Sequence, residues 1–243
     1  MTGTSGRPIL KGGIIAAGEG SRLSADGYRG SKAMVPVAGR PLIGHALARF
    51  RAIGIRRLTV IVNDASEDCQ EWLRRHGDDF ELDLIVRTTP SSYASFRLVA
   101  ERLSGAAALI TTVDGIMPTD DFSTFAKAAA GFPEGAVVLG LTAHLDDEKP
   151  LWAALDAADG RIRRLGGESG SHVTAGLYVL PATRPAEPTR GFARLRDYLG
   201  WLVAEGYPVY GVVLPWAFDI DRASDIAAAE RVVAGGVTRG EVS

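Results

Sequence analysis

Two glycines one residue apart, Gly18 and Gly20, follow directly on the short apolar run GIIAA (residues 13–17), with Arg22 two residues further and Lys32 ten beyond that. Without side chains at those two points the backbone can curl and turn several N–H groups toward one anion. Arg22 offers a planar fork suited to phosphate oxygens, and Lys32 a compact, movable charge. Together they suit a triphosphate and the pyrophosphate that leaves it. The loop is neither of two common glycine motifs. A dinucleotide fingerprint needs glycine where Leu23 stands, and a Walker loop needs lysine where Glu19 stands. The alternative is a plain glycine turn flanked by solvated charges.

A carboxylate ends a second apolar run. ALITTV (residues 108–113) leads into Asp114 and Gly115, which places Asp114 at the carboxyl edge of a sheet, where open α/β folds bind ligands. Mg²⁺ takes a few carboxylates and completes its shell with phosphate oxygens and water, so Asp114 needs one partner carboxylate from elsewhere. The competing reading is a strand-end turn residue. His45, His76, His144 and His172 show no metal-ligand spacing.

These residues require strands that end side by side. Strands are predicted at Gly13–Ala17, Leu58–Val62, Leu82–Val86 and Ala107–Val113. Helices are predicted from Pro41, over Glu67–His76 and over Tyr93–Leu103, with one long loop up to Pro41. That alternation implies right-handed βαβ crossovers and a mainly parallel sheet. After a helix at Phe122–Ala130 come strands at Ala136–Thr142, Trp152–Leu155 and Arg161–Leu165, with a hairpin turn at Asp159-Gly160. A strand at Val173–Leu180, a helix near Phe192–Glu205, a strand at Val209–Leu214 and a helix at Ser224–Ala234 close the chain. The stretch Pro181–Pro188 is expected as a surface loop.

The 243 residues suit one domain, with 1–11 as a short frayed N-terminus. A net charge of −2 gives no footprint for nucleic acid. The single cysteine, Cys69, allows no internal disulfide. No apolar run approaches the ~20 residues of a membrane span. A cytoplasmic protein without a nucleic-acid or membrane partner is expected.

The sequence from Lys32 continues Ala33-Met34-Val35-Pro36-Val37-Ala38-Gly39-Arg40-Pro41-Leu42. With Ala16–Leu23 it resembles the nucleotide-sugar pyrophosphorylase family of sugar-phosphate nucleotidyltransferases, in the MobA-like NTP transferase superfamily. Every fixed position of A-A-G-x-G-[ST]-R-[LM] and K-x-[ML]-x-P-[VL]-x-G-x-P-[LM] is present. The resemblance implies an α/β fold, a Rossmann-like three-layer sandwich with a mixed, mostly parallel sheet. It also implies a nucleoside triphosphate bound with Mg²⁺, contacted by Ala16, Ala17, Gly18, Glu19, Gly20, Ser21, Arg22 and Lys32. The nucleotidyl group would pass to a phosphorylated acceptor, first a sugar 1-phosphate, in a monomer or homodimer. Arg22, Lys32 and Asp114 would be catalytic.

The resemblance runs on through Asp114, Thr174–Tyr178 and Phe218–Asp221 with Asp225. In the family a second metal ligand precedes a helix beginning T-P-E-D-L. The spacing to Asp225 favours Asp221. Asp219 is its rival, since strand alternation puts both on one face. Asp225 is assigned to the helix N-terminus.

Two segments depart from the family. The base-reading Q-x-G-T-A is replaced by Thr88–Ser95, where Ser91 and Ser92 are expected to contact the nucleotide, closer to cytidylyltransferases for aminoalcohol phosphates or phosphonates. The acceptor E-K-P is replaced by Arg163–Glu168. Arg164 is expected in place of the missing lysine and Glu168 at an acceptor hydroxyl or amine, against solvated turn charges as the alternative. Gly176 and Tyr178 are assigned to the acceptor side, with Trp216 a further lining candidate, against core aromatics as the alternative. A molybdopterin-type enzyme would carry glycines at 16–17 and an aspartate at Ser31. A catalytically silent regulatory homologue would have lost Arg22, Lys32 or Asp114.

Overall fold

A computed structural model describes residues 7–143, 150–189 and 191–233. Strand β1 (Ile9–Ala16) leads to a short helix α1 (Ser21–Ala25), a 3₁₀ turn (Lys32–Met34) and a hairpin of β2 (Pro36–Val37) and β3 (Arg40–Pro41). Next come α2 (Leu42–Ala52), β4 (Arg57–Val62), α3 (Glu67–His76), β5 (Glu81–Val86), α4 (Ser92–Arg102) and β6 (Ala107–Thr112). After these lie β7 (Gly115–Ile116), α5 (Thr119–Ala130), β8 (Val137–Thr142), β9 (Trp152–Leu155), β10 (Ile162–Leu165) and β11 (His172–Leu180). The chain ends with α6 (Leu195–Ala204), β12 (Val209–Leu214), β13 (Phe218–Asp219) and α7 (Ala223–Val233).

The main sheet runs β5-β4-β1-β6-β11-β8-β12, and the hairpin β9–β10 joins it at the start of β11. β5, β4, β1 and β6 are parallel. β11 is antiparallel to β6, β8 and β9, and β12 is parallel to β8. The sheet is therefore mixed and mostly parallel, as expected. Side-chain alternation sends Ile14, Val60 and Leu109 to one core with α2, α5 and α7, and Ile61, Ile110 and Leu139 to another with α4 and α6. Helices thus cover both faces in a Rossmann-like, three-layer α/β arrangement. Fully buried side chains such as Phe50 and Phe122, packed edge to face at 5.3 Å, each contribute roughly 1.5–3 kcal/mol.

Glycine inside β1 has a packing reason. A Cβ on Gly12 would lie 2.7 Å from the Phe50 ring, and one on Gly13 would lie 2.6 Å from Val99 Cγ1. Bare backbone there lets α2 and α4 close on opposite faces of the same strand.

Three expectations change. The frayed N-terminus does not extend to residue 11: Arg7 is buried and its guanidinium donates to the carbonyls of Glu134 and Ala136, while β1 starts at Ile9. Residues 1–6, His144 and the predicted helix end Ala234 lie outside the described residues. The stretch expected as one loop is ordered by α1, the 3₁₀ turn and the β2–β3 hairpin, whose turn residues Ala38 and Gly39 both have positive φ (47° and 74°). The two-residue strands β7 and β13 are absent from the predicted elements; they pair with each other and set Asp219 opposite Gly115.

Candidate active site

After β1, β4 and β5 are laid down on one side, the chain crosses to place β6 on the other side of β1. The carboxyl ends of β1 and β6 therefore flank a switch point, the usual ligand crevice of such sheets. Ile15 stands opposite Thr112 in that register, which brings the glycine loop beside Asp114. A cavity of about 640 Å³ opens there, lined among others by Ala17, the loop Gly18–Arg22, Lys32, Asn63, Ser91, Ser92, Asp114 and Asp221. Ala16 is buried in the strand beneath it.

The two loop glycines differ. Gly20 has φ +62°, and a Cβ on it would lie 2.9 Å from Lys32 Cβ. Gly18 has no protein atom within 4 Å of such a Cβ, so its bare face borders the open crevice.

Lys32 is nearly buried, and its Nζ donates to Asp114 Oδ2 at 2.6 Å and to Asp221 Oδ1 at 2.7 Å. Arg22 Nη1 donates to the other oxygen of Asp221 at 2.5 Å. Burial opposes the charge on Lys32 most strongly, but the Asp114 charge, the hydrogen bonds to Asp114 and Asp221 and the Asp221 charge outweigh it, and the lysine pKa rises. Burial likewise opposes charge on Asp114, yet the ammonium beside it holds that carboxyl below the usual aspartate range. The four side chains form one ionised network with no net formal charge.

β7 and β13 set where Asp219 and Asp221 lie. Gly115 pairs with Asp219, and Ile220 N donates to the Asp114 carbonyl at 3.1 Å. β13 ends at Asp219, so strand alternation does not continue to Asp221. Asp221 turns to Lys32 and Arg22, whereas Asp219 Oδ1 lies toward Gly115 and Gly176. Asp225 accepts from the backbone N–H of Asp221 and of Arg222, at 2.9 and 2.7 Å, which fits its helix-start assignment and also fixes Asp221. Asp26, at the end of α1, accepts from Ala223 N at 3.1 Å and ties the phosphate loop to α7.

Among the described residues there is no group of three or more His, Cys, Asp or Glu side chains suited to a metal ion. Two carboxylates converging on one cationic position nevertheless fit Mg²⁺, which takes its remaining oxygens from phosphate and water. Asp114 and Asp221 are the side chains that would hold it.

Ser91 and Ser92 line the cavity, but their hydroxyls are engaged. Ser91 Oγ caps α4 by accepting from Ala94 N at 3.2 Å, and Ser92 Oγ accepts from Leu195 N at 3.1 Å. The acceptor assignments fare differently. Arg164 is exposed on β10 and donates to the carbonyls of Gly166 and Ser169 in the loop that follows, and neither it nor exposed Glu168 lines this cavity. The Tyr178 ring is core, edge-on to Phe96 at 5.8 Å. Burial raises the Tyr178 pKa, with Asp219 and Asp114 adding to the rise. Gly176 has φ +65°, and a Cβ on it would lie 2.4 Å from Thr112 Oγ1. Trp216 is half-buried against the core.

Sequence reasoning missed Asn63 and Thr112. Asn63 sits one residue past β4, and its Oδ1 accepts from Ala65 N and from Thr88 Oγ1 at 2.9 and 3.2 Å. Its position just beyond a predicted strand end was the available signal.

Residues 12–176 match the family described as the MobA-like NTP transferase domain. The chain is 25% identical over 254 residues to the bifunctional protein GlmU of Paracidovorax citrulli, spanning 92% of this chain and 52% of that protein. It is 30% identical over 86 residues to the CMP-5'-(3-aminopropyl)phosphonate synthase of Streptomyces rubellomurinus, spanning 35% of this chain and 14% of that one. The chain thus spans about half or less of these relatives. The inositol-1-phosphate CTP transferase from T. maritima superposes with a TM-score of 0.77 at 18% identity, over 96% of this chain and 99% of that one.

Proposed function

We infer the function from one premise: the chain belongs to the MobA-like NTP transferase domain family, and it is a nucleotidyltransferase by kind. We propose that it couples a nucleoside triphosphate to a phosphorylated small molecule, releasing pyrophosphate. The observation that carries this reading is the convergence of Arg22, Lys32, Asp114 and Asp221 at the switch point beside the glycine loop.

An oxygen of the acceptor phosphate attacks the α-phosphorus. The new O–P bond forms as the bond to pyrophosphate breaks, with no covalent enzyme intermediate. Catalysis then rests on positioning and charge. Arg22 and Lys32 hold the β- and γ-phosphates and the departing charge, and the Gly18–Gly20 backbone approaches the phosphates closely. The four side chains cancel in charge, so a polyphosphate needs a further cation, and Asp114 and Asp221 are the side chains that would hold Mg²⁺ for it. Bound there, the metal offsets negative charge on the phosphate oxygens.

The signature from Ala16 to Leu42 favours a sugar 1-phosphate as acceptor. An aminoalcohol phosphate or phosphonate is the second reading, favoured by Asp219: this exposed carboxylate beside Gly115 and Gly176 suits a cationic acceptor group. No helix among the described residues is long and apolar enough to cross a membrane. Both substrates are water-soluble, and we place the reaction in the cytoplasm, where nucleoside triphosphates are made. A pyrophosphate-release screen of four ribonucleoside triphosphates with Mg²⁺ against both acceptor classes tests the reading. Release with one pair supports it, and silence across the panel overturns it in favour of a regulatory homologue.

A further inference from the structure

Arg49 is a charge in the wrong place for a helix that packs on a core. It lies on α2, is 2% exposed, and its guanidinium rests 5.6 Å from the centre of the Phe122 ring. Its Nη1 donates to the carbonyl of Gly115 at 2.9 Å, while Nε and Nη2, both buried, have no hydrogen-bond partner. Desolvation lowers its pKa to about 10 with no carboxylate contributing, so at neutral pH the buried group is still a cation. A buried charge without a counter-ion destabilises a fold, and an apolar side chain of similar length usually serves packing better. Beyond its place over the Phe122 ring, what the charge secures is a single hydrogen bond, to one carbonyl.

That carbonyl belongs to the residue after Asp114. Gly115 is half of β7, whose pairing with β13 sets Asp219 opposite Gly115 and brings Ile220 N onto the Asp114 carbonyl. Two-residue strands have little pairing strength of their own, and Gly115 has no side chain with which to anchor itself. Asp114 and Asp221 lie at the same end of this ribbon, Asp114 just before β7 and Asp221 just after β13.

We propose that Arg49 is a positioning residue of the nucleotidyl-transfer site: by holding the Gly115 carbonyl from beneath, it fixes the β7–β13 ribbon and so the spacing of Asp114 and Asp221. Its consequence for metal binding rests on the function proposed above. It touches neither substrate nor metal.

The test compares wild type, Arg49→Met and Arg49→Lys by amide hydrogen exchange at Ile220 and by calorimetric binding of Mn²⁺ with each of four ribonucleoside triphosphates. Arg49→Met is expected to keep or raise the melting temperature, to speed exchange at Ile220 about tenfold, and to weaken Mn²⁺·nucleotide binding about tenfold. Arg49→Lys, which keeps one mobile donor in place of the fork, falls between, at least about threefold from wild type in exchange. Folded Arg49→Met with wild-type exchange overturns the proposal, as does faster exchange with unchanged Mn²⁺·nucleotide affinity. Should Arg49→Met not fold, Arg49→Lys decides: faster exchange supports the assignment and wild-type exchange overturns it. If wild type binds no Mn²⁺·nucleotide, the functional reading fails, and exchange still decides whether Arg49 holds the ribbon.

Discussion

Lys32 and Asp114 lie 82 residues apart in sequence, yet the Lys32 ammonium stands 2.6 Å from Asp114 Oδ2 in a nearly buried setting. The same nitrogen reaches Asp221, so one ammonium holds both carboxylates assigned to Mg²⁺. A metal bound on these carboxylates would therefore compete with the lysine for the same oxygens.

That competition makes the first prediction. Lys32→Met is expected to lower turnover on the order of 10²–10³, as loss of one transition-state charge does. The same variant should bind Mn²⁺ more tightly than wild type in the absence of nucleotide. Steady-state rates and Mn²⁺ titration of the nucleotide-free protein check the two halves. Unchanged turnover would remove Lys32 from the mechanism.

Asp219 and Asp221 should separate. Asp221→Asn is expected to raise the metal concentration for half-maximal rate by more than the ~10-fold typical of losing an outer partner. Asp219→Asn should leave metal dependence in place and raise KM for a cationic acceptor. Rates measured against Mg²⁺ and against acceptor distinguish them, and equal effects on both axes would sink the division.

The glycines make a paired prediction. Gly20→Ala forces a left-handed conformation on an L-residue, costing roughly 1–2 kcal/mol, and also meets Lys32, so it should lower the melting temperature. Gly18→Ala meets no protein atom within 4 Å and should leave the melting temperature unchanged while weakening triphosphate binding. Thermal unfolding and nucleotide titration of both variants provide the comparison.

The ion network has a pH signature. The folded-state pKa of Asp114 is depressed, so its contribution is present above the unfolded value of ~3.9 and is lost as pH falls through the folded one. The pKa of Lys32 is raised, so its contribution is full below the unfolded value of ~10.4 and is lost only as pH rises past it. The network's stabilisation should therefore be flat from about pH 6 to 9 and fall in acid. In melts from about pH 2 to 7, Asp114→Asn is expected to flatten the acid limb relative to wild type. Parallel acid limbs would contradict the assignment.

Much of the site was legible because its determinants are local. A glycine at positive φ, a fork and an ammonium at fixed offsets, and an aspartate after an apolar strand all leave marks within a few residues. The choice between Asp219 and Asp221 was not local. It depends on β13 ending after two residues, which pairing with β7 decides from a distant part of the chain. Arg164 looked like a substrate cation because its acceptors are backbone carbonyls of the loop after β10, invisible as residue types. Tyr178 alternates to the face covered by α4 and α6, and only the sheet order shows that this face is core there. Arg49 reads in sequence as one polar position on an amphipathic helix. Nor does the family match mark Asp221, since it stops at residue 176.

The Arg22–Asp221 and Asp26–Ala223 contacts join segments 199 and 197 residues apart. A ribosome making this chain therefore releases the phosphate loop long before the carboxylate that completes it. A nascent chain that already holds β1 through β7 has the loop, Lys32 and Asp114 but lacks the second carboxylate. The four-residue ion network is therefore complete only once Asp221 has been made, and a nonsense mutation between Leu214 and Asp221 leaves every strand of the main sheet encoded but no carboxylate to join Arg22 and Lys32.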